Sequence, residues 1–212
     1  MLVQSRYRDW SDLIGLPPAS ATKMKEIEAR FLEIDPVEIE AKLKKLGAQK
    51  IFDSVFNETI FQPPAGAGFE EWEKTRKRLR VRDNGEKIFL TLKENTKWGF
   101  GETDEIELEV SDFDQSCELL ENIGLEVKRS QEKRRIRYDW NGVHAEIDFW
   151  PWIPPALEIE ASEKKKVVEL AEKLGLDWDK AEFRDSKKVY LDVYGIDLDK
   201  VKELAFNKPK PK

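Results

Sequence analysis

The chain has 212 residues, 40% hydrophobic and 38% charged, with 37 basic and 43 acidic side chains leaving a net charge of −6. That length and apolar content can fill a core and exclude a disordered chain, while the near-cancellation of charge argues against a non-specific grip on nucleic acid or an anionic membrane, both of which need a basic excess. The single cysteine, Cys117, excludes an internal disulfide and a thiolate metal cluster, and no apolar run approaches the ~20 residues of a membrane span, so a cytoplasmic, reducing setting is expected.

Residues 1–23 do not share the patterning of the rest of the chain and read as an N-terminal extension broken at Pro17 and Pro18, with Met24 a second candidate start. The globular part is expected over 24–195, and 196–212 reads as a C-terminal tail ending in the basic Asn207–Lys212 run. Period-two alternation begins at once: Glu26, Glu28 and Arg30 oppose Ile27, Ala29 and Phe31. Asp35-Pro36 then caps a helix that carries Ile39, Leu43 and Leu46 on one stripe and stops at Gly47. A strand up to Pro63 comes next, then a long connection from Pro63 to Lys77 that reads as a surface loop. Arg78, Arg80 and Arg82 face away from Leu79 and Val81; after a turn at Asp83-Asn84-Gly85, Lys87, Thr91 and Lys93 oppose Ile88, Leu90 and Leu92.

Gly99-Phe100-Gly101 reads as a hairpin turn, since neither a helix nor the lysine and serine of a phosphate loop comes after it. Glu105, Glu107 and Glu109 oppose Ile106, Leu108 and Val110, and a helix from Asp112 to Ile123 stops at Gly124. Lys133, Arg135 and Arg137 mark the next strand. His144, Glu146 and Asp148 then oppose Val143, Ala145, Ile147 and Phe149. The Phe149–Pro155 stretch reads as a stiff hairpin connection, with base stacking by Trp150 or Trp152 the less favoured alternative. Glu158 and Glu160 oppose Leu157, Ile159 and Ala161, before a third helix capped by Ser162 that stops at Gly175.

On an ordinary antiparallel sheet such charged faces meet water, and that reading serves any single strand. It weakens over seven strands, because like charges stack along each of them and cost stability unless something compensates. An α+β fold accounts for the pattern better: a closed eight-stranded antiparallel β-barrel with the helices outside and the charges lining a tunnel. The inward parity collects nine carboxylates (Glu26, Glu28, Glu105, Glu107, Glu109, Glu146, Asp148, Glu158, Glu160) and nine cations (Arg30, Arg78, Arg80, Arg82, Lys87, Lys93, Lys133, Arg135, Arg137). Charge buried on this scale must be paired or used. Glu-x-Glu on a strand points two carboxylates the same way about 7 Å apart, hard oxygen donors suited to Mg²⁺ or Mn²⁺, and Arg-x-Arg does the same for adjacent phosphates.

Glu26-Ile27-Glu28-Ala29-Arg30 resembles the N-terminal E-x-E-x-K signature of the CYTH superfamily, the triphosphate tunnel metalloenzymes. The Leu79–Arg82 strand, Leu92-Lys93, Glu107 and Glu109, Lys133-x-Arg135-x-x-Tyr138, Asp148 and Glu158-Ile159-Glu160 agree with the family in order, over Lys25 to about Tyr194. The layout is most similar to the class IV adenylyl cyclase branch. The resemblance implies an eight-stranded tunnel, Mg²⁺ or Mn²⁺, and chemistry on a small-molecule triphosphate such as ATP, thiamine triphosphate or tripolyphosphate. A homodimer is left open.

It also implies roles. Glu26, Glu28, Glu158 and Glu160 would hold the catalytic metal; Glu107, Glu109 and Asp148 would hold a second ion or orient the cations. Arg78, Arg80, Arg82, Lys93, Lys133 and Arg135 would grip the phosphates, with Arg30 and Lys93 joining Glu26 and Glu28 in catalysis. The expected activity is hydrolysis of the terminal phosphoanhydride; the alternatives are cyclisation of ATP to cyclic AMP and pyrophosphate, and a binding module without turnover. Two departures stand out. Arg30 occupies a lysine position and cannot act by losing a proton, and Ser186 lacks the adjoining tyrosine that many relatives of that branch carry. His144, the only histidine, excludes a multi-histidine metal site.

Overall fold

The computed structural model describes residues 27–66, 68–75, 77–95 and 103–210. Glu26 of the signature, the N-terminal extension and the Gly99-Phe100-Gly101 turn therefore lie outside the described residues. In chain order the elements are β1 (Ile27–Phe31), α1 (Pro36–Lys45), β2 (Gln49–Gln62), α2 (Phe69–Lys74), β3 (Arg78–Asp83), β4 (Ile88–Asn95) and β5 (Thr103–Val110). They continue with α3 (Phe113–Asn122), β6 (Glu126–Trp140), β7 (Val143–Phe149), β8 (Ala156–Ala161), α4 (Lys164–Lys173), α5 (Ser186–Tyr194) and the two-residue β9 (Glu203–Leu204).

Local chemistry accounts for the helix ends. Asp35 and Asp112 accept backbone N–H bonds from the first turns of α1 and α3, meeting donors that have no partner inside the helix. Gly47, Gly124 and Gly175, just past α1, α3 and α4, sit at φ of 78°, 97° and 72°, where a side chain is strained. The third helix starts one residue later than expected: its first backbone bonds go to the Glu163 carbonyl, so Ser162 lies outside the cap position. The Pro63–Lys77 connection is not loop throughout, since α2 occupies its middle. Residues 196–206 are likewise built in: Leu198, Val201 and Leu204 are buried with Tyr190, and β9 pairs parallel to β6 at Ser130–Gln131.

Eight strands run in the order β1-β8-β7-β6-β2-β3-β4-β5, antiparallel at every step, with β9 added beside β6. Ala29, Ile136, Ala145, Ile147, Leu157 and Ile159 all point to one face, where they pack under Ile39 and Leu43 of α1, Val167 and Leu170 of α4, and Leu174 just past it. Burying each of the larger side chains contributes about 1.5–3 kcal/mol, which fixes the strand register: a slip by one residue would drive charges under the helices. A second apolar group, Phe61, Val81 and Leu120, seats α3 on the outside of the other half, with Cys117 beside it. The opposite face carries the charges and curls inward. Glu28 of β1 feels the charge of Lys93 of β4, although those strands stand at almost opposite ends of the sheet order.

The expectation of a barrel closed by hydrogen bonds is corrected in one respect. Among the described residues β1 and β5 are the edges of the sheet and do not pair. At Arg30 the outer edge of β1 is already taken: Arg30 N donates to Glu182 O at 3.1 Å and Glu182 N donates back to Arg30 O at 2.7 Å. Among the described residues, no helix is long and apolar enough to cross a membrane.

Candidate active site

Register alone brings the acidic residues together. Glu146 lies opposite Arg137 on β6 and opposite Glu158 on β8; Glu158 faces Arg30 on β1, and Glu160 faces both His144 and Glu28. The carboxylates of Glu146, Glu158 and Glu160 are buried, and one oxygen from each lies within 4.8 Å of the others. Arg30 donates to Glu158 Oε2 from Nε (3.2 Å) and Nη2 (2.8 Å). Arg137 Nε donates to Glu146 Oε1 at 2.5 Å, and Arg135 also contacts Glu146. Arg135 forks onto Asp148, with Nε–Oδ1 and Nη2–Oδ2 both 2.6 Å, while Lys133 Nζ reaches Asp148 Oδ2 at 3.4 Å.

The other half of the face is basic. Arg78, Arg80 and Arg82 project from β3, and the Nε of each is buried with no hydrogen-bond partner. Arg80 Nη1 donates to Glu58 Oε1 at 2.9 Å, Arg78 Nη2 to Glu58 Oε2 at 3.3 Å and Gln131 Nε2 to Glu58 Oε2 at 2.6 Å. Arg82 and Thr91 both donate to Glu107 Oε2, at 2.9 and 3.0 Å; Lys93 pairs with Glu105 at 2.7 Å, and Lys87 with Glu109 at 2.8 Å on the exposed rim. Phe56, Phe89 and Trp150 floor this half: Arg82 lies 5.5 Å from the Phe56 ring centre and 5.6 Å from that of Phe89, and Lys133 lies 5.0 Å from Trp150. Such contacts stabilise a desolvated cation by about 1–2 kcal/mol.

Electrostatics separate the two halves. Burial pushes Lys133 down to about 8 and Arg78 down to about 10, with neighbouring arginines adding to both shifts; burial and then Arg80 lower Arg82. For each of them burial and like-charged neighbours outweigh the pull of its carboxylate partner. In the acidic half the Glu158 charge, with burial second, pushes Glu28 up to about 7 against the pull of Arg30 and Lys93. Glu28 is exposed to solvent on the face of β1 that also carries Arg30. Burial would raise Glu158, but Arg30, Arg135 and Lys133 outweigh it and hold the carboxyl well below the usual range. One half thus favours an added cation and the other an added anion.

The structure brings Glu28, Arg30, Arg78, Arg80, Arg82, Lys93, Lys133, Arg135, Asp148, Glu158 and Glu160 onto one inner face. Glu107 stands beside Arg82 within it. Glu109 is exposed at the rim, paired with Lys87, and is not a member of the three-carboxylate cluster. Sequence reasoning did not place Glu146 among the metal ligands, and it missed Glu58 altogether. The pairing of Glu146 with Glu158 across β7 and β8 was the available signal for the first. Glu58 offered only its parity with Phe56 and Ile60, two apolar neighbours that concealed it.

The CYTH domain family model matches residues 24–209. Among curated proteins none matches. Among solved structures, the PH1012 protein of Pyrococcus horikoshii OT3 is 28% identical with a TM-score of 0.64, covering 76% of this chain and 96% of its own. A conserved hypothetical protein of Pyrococcus furiosus is 25% identical with a TM-score of 0.64, covering 76% and 97%. The same fold at 16% identity and a TM-score of 0.54 occurs in HpAC1 of Hippeastrum, covering 80% of this chain and 95% of its own, a proposed adenylyl cyclase for which a dominant triphosphatase activity is described.

Proposed function

We propose, from the premise that this chain belongs to the CYTH domain family, that it is a metal-dependent hydrolase of a small-molecule triphosphate. The observation that carries this reading is the divided inner face: a buried three-carboxylate cluster beside three arginines whose Nε atoms are buried without a hydrogen-bond partner.

The donor set fits a hard divalent cation, being all carboxylate oxygen with no histidine or thiolate. Glu146, Glu158 and Glu160 would hold Mg²⁺ or Mn²⁺, together with Glu28 and the neighbouring Glu26. The bound cation supplies Lewis-acid neutralisation of phosphate charge. Arg78, Arg80, Arg82, Lys93, Lys133 and Arg135 grip the chain of phosphates, with Arg30 near its reactive end. Glu107 and Asp148 orient two of those cations, as their ion pairs with Arg82 and Arg135 suggest, while Glu109 pairs with Lys87 at the rim. Hydrolysis then needs a water in line with the terminal phosphorus: its oxygen forms the new P–O bond, the bridging P–O bond breaks toward the remaining diphosphate, and the proton leaves to a carboxylate. Positioning and charge neutralisation supply most of the rate.

Cyclisation of ATP would need a nucleoside site and a group to take the 3′-hydroxyl proton. Arg30 cannot serve as that base, and Trp150 is already covered by Lys133 and by the edge of Tyr190. The test is a panel of tripolyphosphate, thiamine triphosphate and ATP with Mg²⁺ and Mn²⁺, products identified, and Glu160→Gln as control. Phosphate release lost in the control is expected. Cyclic AMP with pyrophosphate would replace this reading by the cyclase, and tight binding with no substrate consumed would replace it by a binding module.

A further inference from the structure

Arg30 is held on three sides, and only one of them is the acidic cluster. Its Nε and Nη2 donate to Glu158 Oε2, its Nη1 donates to the Arg184 carbonyl at 3.0 Å, and its backbone exchanges both hydrogen bonds with Glu182. The segment Ala181–Asp185 thus lies as a strap along the edge of β1 that β5 leaves unpaired. What shapes the strap is the Glu182 side chain, only 11% exposed. Its Oε1 accepts the Arg184 backbone N–H at 2.7 Å and Arg184 Nε at 2.9 Å, closing a tight turn; the Arg184 guanidinium forks onto the same carboxylate and reaches Asp192 of α5 at 3.2 Å.

We infer that Glu182 is a positioning residue for the cation seat: by folding the Glu182–Arg184 turn it aims the Arg184 carbonyl at Arg30, which fixes the Arg30 fork on Glu158 Oε2. Glu158 Oε1 is then turned toward Arg135, at 3.8 Å, the guanidinium that also contacts Glu146. Arg30 reaches Glu158 through a long side chain whose rotamer freedom must be given up when it is immobilised. A third hydrogen bond from a rigid carbonyl removes that freedom before a ligand arrives. Partners that orient a ligating carboxylate typically change metal affinity 10–100-fold when lost. Nothing in this needs Glu182 to touch substrate or metal.

The inference rests on the reading of Glu146, Glu158 and Glu160 as the cation's seat, so its test separates the two. Mn²⁺ is titrated by electron paramagnetic resonance into the full chain without any triphosphate, alongside thermal unfolding of the metal-free protein. Glu182→Ala is expected to weaken Mn²⁺ binding at least about 10-fold. Glu182→Asp, which keeps the charge but withdraws it by one methylene, is expected to fall between Glu182→Ala and wild type, and Glu182→Gln, which keeps the Oε1 acceptor, to recover most of the affinity. Asp192→Asn, which leaves the turn intact, is expected to bind like wild type. Unchanged Mn²⁺ affinity in Glu182→Ala and Glu182→Asp overturns the positioning role. So does equal weakening in the alanine and glutamine variants with unfolding midpoints falling in step, which is the behaviour of a structural residue. Wild-type protein whose Mn²⁺ binding is untouched by Glu160→Gln overturns the seat instead.

Discussion

Replacing Glu58 by glutamine is expected to lower the unfolding free energy by about 3 kcal/mol or more, a fall of roughly 6–12 °C in the unfolding midpoint for a chain of this size. Glu58 is fully buried and accepts from Arg80, Arg78 and Gln131. Burial would raise its carboxyl, but Arg80, Arg78 and Lys133 hold it well below the ordinary range. A carboxylate whose folded pKa is depressed stabilises the fold fully above its unfolded pKa and loses that contribution as pH falls, so the variant should also lack this part of the acid sensitivity of the wild type. The amide keeps the volume and one acceptor but strands two guanidinium charges, and the stranded charge carries the cost. An added polyanion can replace the missing charge, so tripolyphosphate should raise the midpoint of the variant by more than it raises that of wild type. Calorimetric midpoints within about 1 °C of each other in the absence of ligand would show that Glu58 does not balance the arginine row.

Glu146→Gln is expected to lower metal-dependent turnover by at least about 100-fold, with the larger share in kcat. Glu146 is wholly buried and is flanked by both Arg135 and Arg137. Neutralising it removes a proposed ligand and leaves those guanidinium groups repelling the incoming cation. The assay is run at a temperature where circular dichroism shows the variant folded, since a stranded buried charge also costs stability. Full turnover in folded Glu146→Gln would remove this carboxylate from the site.

The strands were legible because their two faces differ so completely. A run such as Arg78-Leu79-Arg80-Val81-Arg82 admits one register only, and Ala29, Ile147 and Ile159 fall under the helices as parity requires. Helix ends were legible where a single residue decides them, as at Asp35 and Gly47. The sequence did not reveal how the sheet ends. At Arg30 the edge of β1 pairs with Glu182, which is far from it along the chain and has no periodic signal of its own. Glu58 was hidden because its neighbours on the same face of the strand, Phe56 and Ile60, are apolar. The C-terminal segment looked like a tail because Ile196, Leu198, Val201 and Leu204 are spaced for an irregular packed segment rather than for a helix or strand. At Arg30 the departure from lysine was visible, whereas its three-sided restraint is a tertiary property.

The charged inner face is where a divalent cation and a chain of phosphates are proposed to meet. Crystals grown with Mn²⁺ and a slowly hydrolysed tripolyphosphate analogue, measured at the manganese absorption edge, test this directly. An anomalous peak among Glu146, Glu158 and Glu160 with phosphate density along Arg78, Arg80 and Arg82 is the predicted result. Manganese or phosphate bound only on the outer helices, such as at Lys164–Lys166, with the inner face free of both, would contradict it.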